Sequence, residues 1–239
     1  MQKILSREQV EEFHHDGFVE DQVRHFMSMV GEAKIPGEVV VDVGGGMGVF
    51  AHRLQQVGGH QLRVLDIDAG SIELCAKLGV KCRIGDALNP EFSGDEQVVT
   101  FNMVLHHLVG ASERETRGLQ TRALSCWRSN ARKLFVNEYI YESLVGNLAG
   151  WLIFQITKSR VLSWIGRKVS VVIPSLRANT FGVGVRFRAR EEWRQLFEAA
   201  GFRVENYAIG VEEPISLPQR LLLIKNRRRD SFLLQPVAK

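Results

Sequence analysis

Residues 39 to 48, Val39-Val40-Val41-Asp42-Val43-Gly44-Gly45-Gly46-Met47-Gly48, have the types and spacing of a ligand cradle. The valines around Asp42 read as a buried strand. The glycines turn the chain, and Val49, Phe50, Leu54 and Val57 then follow at helical spacing. Glycine has no Cβ, so a ligand can approach the backbone there and a positive φ costs little. The helix start leaves N–H groups to meet what binds. A dinucleotide fingerprint would want G-x-G-x-x-G. Counted from Gly44 and Gly46, its third glycine falls on Val49. The run here is Asp42-x-Gly44-x-Gly46-x-Gly48.

Four more stretches bring polar groups to the same edge. His60 to Asp68 reads as a second strand with Asp66 at its end. Adjacent parallel strands end on one edge of a sheet, so Asp66 comes beside the glycine turn, where a carboxylate can accept from both hydroxyls of a ribose. Asp68 is suited to cap the helix that follows. A third strand, Val80 to Ile84, leads into Gly85-Asp86-Ala87, where a plain turn is the alternative to a ligand contact. The fourth strand runs from Gln97 to Asn102 and continues into Leu105-His106-His107-Leu108. Either histidine can serve as a base, because imidazole titrates near neutral pH. The fifth strand, Lys133 to Glu138, carries Asn137, Glu138, Tyr139 and Tyr141 at the edge that faces the crevice.

In order and spacing these stretches resemble the class I S-adenosylmethionine (SAM) methyltransferases, over about residues 38 to 140 and 190 to 225. The resemblance implies that Gly44, Gly46 and Gly48 pack under the amino acid part of SAM and that Asp42 interacts with its ammonium group. It carries Asp66 to the ribose, Ile67 to the adenine face, Asp86 to the exocyclic amine and the Ala87 N–H to a ring nitrogen. Asn102 lines the same pocket, and Asn137, Tyr139 and His107 are the candidates for catalysis. The fourth strand departs from the family in having Glu96-Gln97 where many relatives have Phe-Asp. The implied fold is α/β: a Rossmann-like, doubly wound, seven-stranded, mostly parallel sheet with an antiparallel last strand.

The remaining chain bounds this reading. At 239 residues, one domain spanning 1–239 is expected. A composition of 45% hydrophobic and 24% charged residues is that of a soluble globular protein. A net charge of +4 does not by itself indicate nucleic acid, although arginines gather after residue 157. Cys75, Cys82 and Cys126 have no metal-ligand spacing, so free thiols, no metal site and a cytoplasmic location are expected. Leu148 to Ile156 is too short to span a bilayer. Residues 7 to 31 read as helix, broken near Gly17, within an N-terminal lid over 1–37 whose Arg24 and His25 are placed to meet the SAM carboxylate. Residues 142 to 187 interrupt the alternation as an apolar cap, suited to hold an acceptor or to form a homodimer surface; Arg177, Asn179 and Arg186 there can recognise a carboxylate. The pattern resumes with a helix through Trp193, Leu196 and Phe197, then strands over Phe202 to Tyr207 and Gln219 to Lys225. A basic tail begins at Asn226.

The expected activity is methyl transfer from SAM to a small molecule, with no Asn-Pro-Pro-Tyr-type segment after the fourth strand to suggest a DNA or glutamine acceptor. A SAM-consuming cyclase or lyase that releases 5′-methylthioadenosine, and a non-catalytic SAM-binding subunit, fit the same cofactor motifs.

Overall fold

The computed structural model describes residues 16–31, 39–159 and 184–237. The expectations for residues 7–15, for Trp164 to Val183 and for Arg177 and Asn179 fall outside these. The elements are α1 (Asp16–Met29), β1 (Val39–Val43), α2 (Val49–Gly58), β2 (Gln61–Asp66), α3 (Ala69–Lys77), β3 (Lys81–Ile84), β4 (Glu96–Asn102), a 3₁₀ turn (Leu105–His107), α4 (Glu113–Ser125), β5 (Lys133–Ser143), α5 (Leu148–Lys158), α6 (Arg190–Ala199), β6 (Phe202–Ala208), α7 (Leu217–Leu221) and β7 (Ile224–Pro236).

One seven-stranded sheet has the order β3-β2-β1-β4-β5-β7-β6. Strands β1 to β5 are parallel, and β7 is antiparallel to both β5 and β6. The sequence expectation of a mostly parallel seven-stranded sheet closed by an antiparallel last strand therefore holds. The chain direction reverses its order outward from β1, which puts the crevice at the C-terminal ends of β1 and β4.

Strand alternation builds two cores. Val39, Val41 and Val43 pack with Phe101, Leu124, Trp127, Trp193 and Phe197 on the α4 and α6 face. Val40 packs with Phe26, Phe50, Leu54, Val64 and Cys75 on the α1, α2 and α3 face. Asp42 follows Val40 in this alternation, so the sheet pleat itself turns a carboxylate into the second face. Helices on both faces bury every residue of β1.

Local chemistry sets the element ends. Asp68 caps α3, its carboxylate accepting from Ser71 N at 2.8 Å, and Ser112 caps α4 by accepting from Glu115 N at 3.1 Å. The break expected near Gly17 adjoins residues outside the described ones, which begin at Asp16 with helix α1. The largest departure lies at the C-terminal end. Residues 217–221 are helix α7, which starts after Ser216 and carries Pro218 in its first turn. The expected basic tail is instead β7, paired along its length with β5. Its charges are neutralised in place: Arg228 Nε lies 2.9 Å from Asp230 Oδ1 and Arg190 Nε 3.1 Å from Asp230 Oδ2. Strand β5 also runs five residues past Glu138, the end expected from sequence, so β5 and β7 project together beyond the sheet edge.

The described chain just before α6 is pinned by buried charges. Arg186 and Arg188 are fully buried. Arg186 meets Glu113 at 2.8 Å and Glu192 at 3.0 Å; Arg188 meets Glu113 at 2.7 Å and Gln120 at 2.9 Å. Val185 N donates to Thr157 Oγ1 at 3.1 Å, which joins the chain before residue 160 to the chain after 183. A Cβ on Gly150 of α5 would strike the Phe187 carbonyl oxygen. Among the described residues no helix is long and apolar enough to cross a membrane.

Candidate functional site

The crevice begins at the glycine turn after β1. Gly44 N donates to Leu65 O at 2.6 Å, which ties the turn to β2. Gly48 is the N-cap of α2 at φ 78°, and a Cβ there would collide with the Cys75 sulfur. Gly46, at φ 54°, has nothing within 4 Å of a Cβ position. The protein's own packing demands Gly48, whereas Gly46 faces open space that a ligand can use.

Beneath the turn, Asp42 is fully buried. Its Oδ1 accepts from Thr100 Oγ1 at 2.6 Å and from Asn102 Nδ2 at 3.0 Å. Its Oδ2, and the Oδ1 of Asn102, have no hydrogen-bond partner among the described residues. Burial pushes the Asp42 pKa up to about 6, partly offset by the bonds from Thr100 and Asn102. Two buried acceptors without donors are costly unless something brings a donor to them.

Asp66, at the end of β2, accepts from Gly46 N at 2.9 Å through Oδ2 and from Asp68 N at 2.9 Å through Oδ1. Burial raises its pKa. The carboxylate thus fixes the shape of the glycine turn while keeping lone pairs for a ligand. Ile67 beside it is an exposed apolar side chain. After β3, Asp86 accepts from Leu88 N at 2.8 Å and from Asn89 Nδ2 at 3.1 Å, and Ala87 is half-buried. The β1–β2–β3 and β1–β4 registers bring Asp42, Gly44, Gly46, Gly48, Asp66, Ile67, Asp86, Ala87 and Asn102 to one edge.

The three residues assigned to catalysis lie across β4 from the turn. Asn137 is opposite Asn102 in register. Its amide is engaged on both sides: Oδ1 accepts from Gln22 Nε2 at 3.1 Å and Nδ2 donates to Ser231 Oγ at 2.8 Å. His25 Nδ1 reaches the same Ser231 hydroxyl at 2.9 Å, so its ring points to the sheet, and Arg24 pairs outward with Asp21 at 2.7 Å. Tyr139 meets Tyr141 and Phe187 edge-on, with ring centroids 5.9 and 5.7 Å away. Burial pushes the Tyr139 hydroxyl well above its ordinary range. Burial, and His106 beside it, hold His107 well below the usual imidazole pKa, so it is neutral at pH 7.

The sequence did not reveal which histidine has an acidic partner. His106 is buried, and its Nδ1 lies 2.7 Å from Glu138 Oε2, while Glu138 Oε1 accepts from Leu105 N at 2.6 Å. The tautomer that serves this pair has its proton on Nδ1, donated to the carboxylate, which leaves Nε2 as an acceptor. The ring is 4.9 Å from Phe187 and 6.3 Å from Tyr139, centroid to centroid. Gln120 Nε2 holds Leu105 O at 2.9 Å, and Arg186 N holds His106 O at 2.9 Å. Two adjacent histidines look alike in a sequence; the pleat of β5 distinguishes them by turning Glu138 away from the face of Asn137 and Tyr139. Farther out, a cavity of about 360 Å³ beside Leu144, Glu213, Ile215 and Ile224 contains none of the candidate residues.

No protein-family model matches the sequence, and no curated protein does. Solved structures do match. A mitomycin 7-O-methyltransferase is 16% identical at a TM-score of 0.57, covering 92% of this chain and 53% of its own. A geranyl diphosphate C-methyltransferase from Streptomyces coelicolor A3(2) is 11% identical at 0.60, covering 97% of this chain and 83% of its own. The [4+2]-cyclase SpnF is 13% identical at 0.58, covering 93% and 81%. This chain spans about half the length of the first of these. At such identities the likeness is one of fold.

Proposed function

We propose that this chain, which has the fold of the class I SAM-dependent methyltransferases, binds SAM in the glycine cradle and transfers its methyl group to a small-molecule acceptor. One observation carries the reading: two buried acceptor oxygens without donors among the described residues, Asp42 Oδ2 and Asn102 Oδ1, lie at an open glycine turn held by Asp66. An ammonium group, direct or through water, is the donor they lack. Asp42, Gly44, Gly46, Gly48 and Asn102 would hold the amino acid end, Asp66 the ribose, and Ile67, Asp86 and Ala87 the adenine.

When bound, SAM supplies a methyl group made electrophilic by its sulfonium. The protein positions the acceptor and keeps water out. Tyr139 and Phe187 wall the site with aromatic faces. His106 Nε2 accepts the acceptor's proton while Glu138 fixes the ring and stabilises the imidazolium that forms. Neutral His107 packs against that ring. Asn137 holds α1 to the sheet through Gln22.

The test starts with purified protein and SAM alone, analysed by mass spectrometry, and then adds candidate acceptors. S-adenosylhomocysteine appearing only with an acceptor supports the proposal. Methylthioadenosine from SAM alone would make SAM its own substrate, and an absence of SAM binding would overturn the cradle. In the active enzyme, His106→Asn is expected to cost about 10²–10⁴ in turnover with SAM affinity unchanged.

A further inference from the structure

The overhang of β5 and β7 carries two arginines that the cofactor site does not use. In antiparallel register Tyr139 faces Arg229 and Tyr141 faces Arg227, so all four side chains share the face of Asn137 and Ser231. This is the face on which α1 lies. The Arg229 guanidinium stacks on the Phe18 ring of α1 at 3.7 Å from its centroid, which fixes its plane. The Arg227 guanidinium lies near the Tyr141 hydroxyl, where its charge partly offsets the rise that burial imposes on that hydroxyl's pKa.

The two guanidiniums share one close carboxylate. Glu213 lies 3.1 Å from Arg227 Nη2 and 3.4 Å from Arg229 Nε. The next, Asp21, is 3.8 Å from Arg229 and is already held by Arg24 at 2.7 Å. The Nε atoms of Arg227 and Arg229 are buried with no aligned hydrogen-bond partner among the described residues. The side chains keep 24% and 13% of their surface, enough for a ligand to reach. His106, Tyr139, Tyr141 and Phe187 form a continuous aromatic wall next to them, with Tyr141 stacked on Phe187 at 4.3 Å.

We infer that Arg227 and Arg229 select an acceptor that carries an oxyanion, a carboxylate or a phosphate monoester, on an aromatic or otherwise flat body. The inference rests on the acceptor site proposed above. A planar guanidinium matches the two oxygens of such a group and recognises them by paired, charge-assisted bonds. Glu213 occupies that place in the free protein and gives it up when the anion enters, while the body lies along the aromatic wall beside His106.

The experiment is a ligand-observed NMR titration of the whole chain, with and without S-adenosylhomocysteine, using benzoate, phenyl phosphate and neutral benzamide. An anion is expected to bind about tenfold more tightly than benzamide, and Arg227→Gln and Arg229→Gln each to remove about that factor while S-adenosylhomocysteine affinity stays unchanged. Glu213→Gln, which removes the internal competitor, is expected to strengthen anion binding several-fold; a misfolded variant would not do so. Tighter benzoate identifies a carboxylic acid acceptor, and tighter phenyl phosphate a phosphorylated one. Equal binding of benzamide, no binding of either anion, or anion affinity that ignores all three substitutions overturns the inference. Loss of S-adenosylhomocysteine binding alone would strike the cofactor reading and leave the anion result to be read separately.

Discussion

Asp42 and Asn102 at the cradle can be set against the buried charges around Arg186 and Arg188. At the cradle, fully buried Asp42 and half-buried Asn102 each keep a buried oxygen with no donor among the described residues. Around Arg186 and Arg188, which are as deeply buried as Asp42, both oxygens of Glu113 and of Glu192 accept bonds, and among the described residues only Arg188 Nη2 of this cluster is left over. Both clusters bear the cost of taking charge out of water. In the second, folding recovers that cost through pairing. In the first, recovery waits for a ligand, which is how a site differs from a strut.

Breaking the strut gives the largest effect. Arg188→Ala takes the donor from Glu113 Oε1 and Gln120 Oε1 and is expected to cost about 3 kcal/mol in equilibrium urea denaturation. The cradle responds with the opposite sign. The Asp42 pKa rises from 3.8 to about 6 on folding. A raised carboxylate pKa penalises the ionised form, so the penalty is absent below pH 3.8, grows as pH rises, and is complete above 6. Asp42→Asn removes it and is expected to stabilise the ligand-free protein by up to about 3 kcal/mol at pH 7. The same change should weaken S-adenosylhomocysteine binding at least about tenfold by calorimetry. In the unmutated protein that affinity should fall as pH drops through 6. Stability loss in Asp42→Asn with affinity intact would erase the contrast between the clusters. The smallest effect is a control: Asp68→Ala loses the cap bond to Ser71 and should cost about 1 kcal/mol without changing affinity.

The part of the molecule that was legible in sequence is the part whose signals are local. Val39 to Gly48 announces strand, turn and helix within ten residues, and Asp66 and Asn102 follow from parallel strands ending together. Strand β7 was not legible, because Arg227-Arg228-Arg229-Asp230 reads as solvated charge. It is a strand because Glu213 and Asp21 meet it on one face and Glu142 and Arg190 on the other, and those partners are distant in sequence. The apolar run Leu221-Leu222-Leu223 read as strand, while the cap at Ser216 and Pro218 had already committed the preceding residues to α7. Which of His106 and His107 has an acidic partner was closed to sequence for the same reason: Glu138, which meets His106, lies 32 residues on.

The bond between Thr157 and Val185 has a consequence for how such a protein can change. The described ends on either side, Ser159 and Gly184, are thereby held close together, with Gly150 packed against Phe187 and the two buried arginines beside them. Whatever length of chain runs between those ends closes a loop that the sheet has already closed for it. Doubling that length would add only about 0.6 kcal/mol of closure entropy. Because described residues alone hold the two ends together, a change of chain length between Ser159 and Gly184 is expected to leave the register of the cradle as it is.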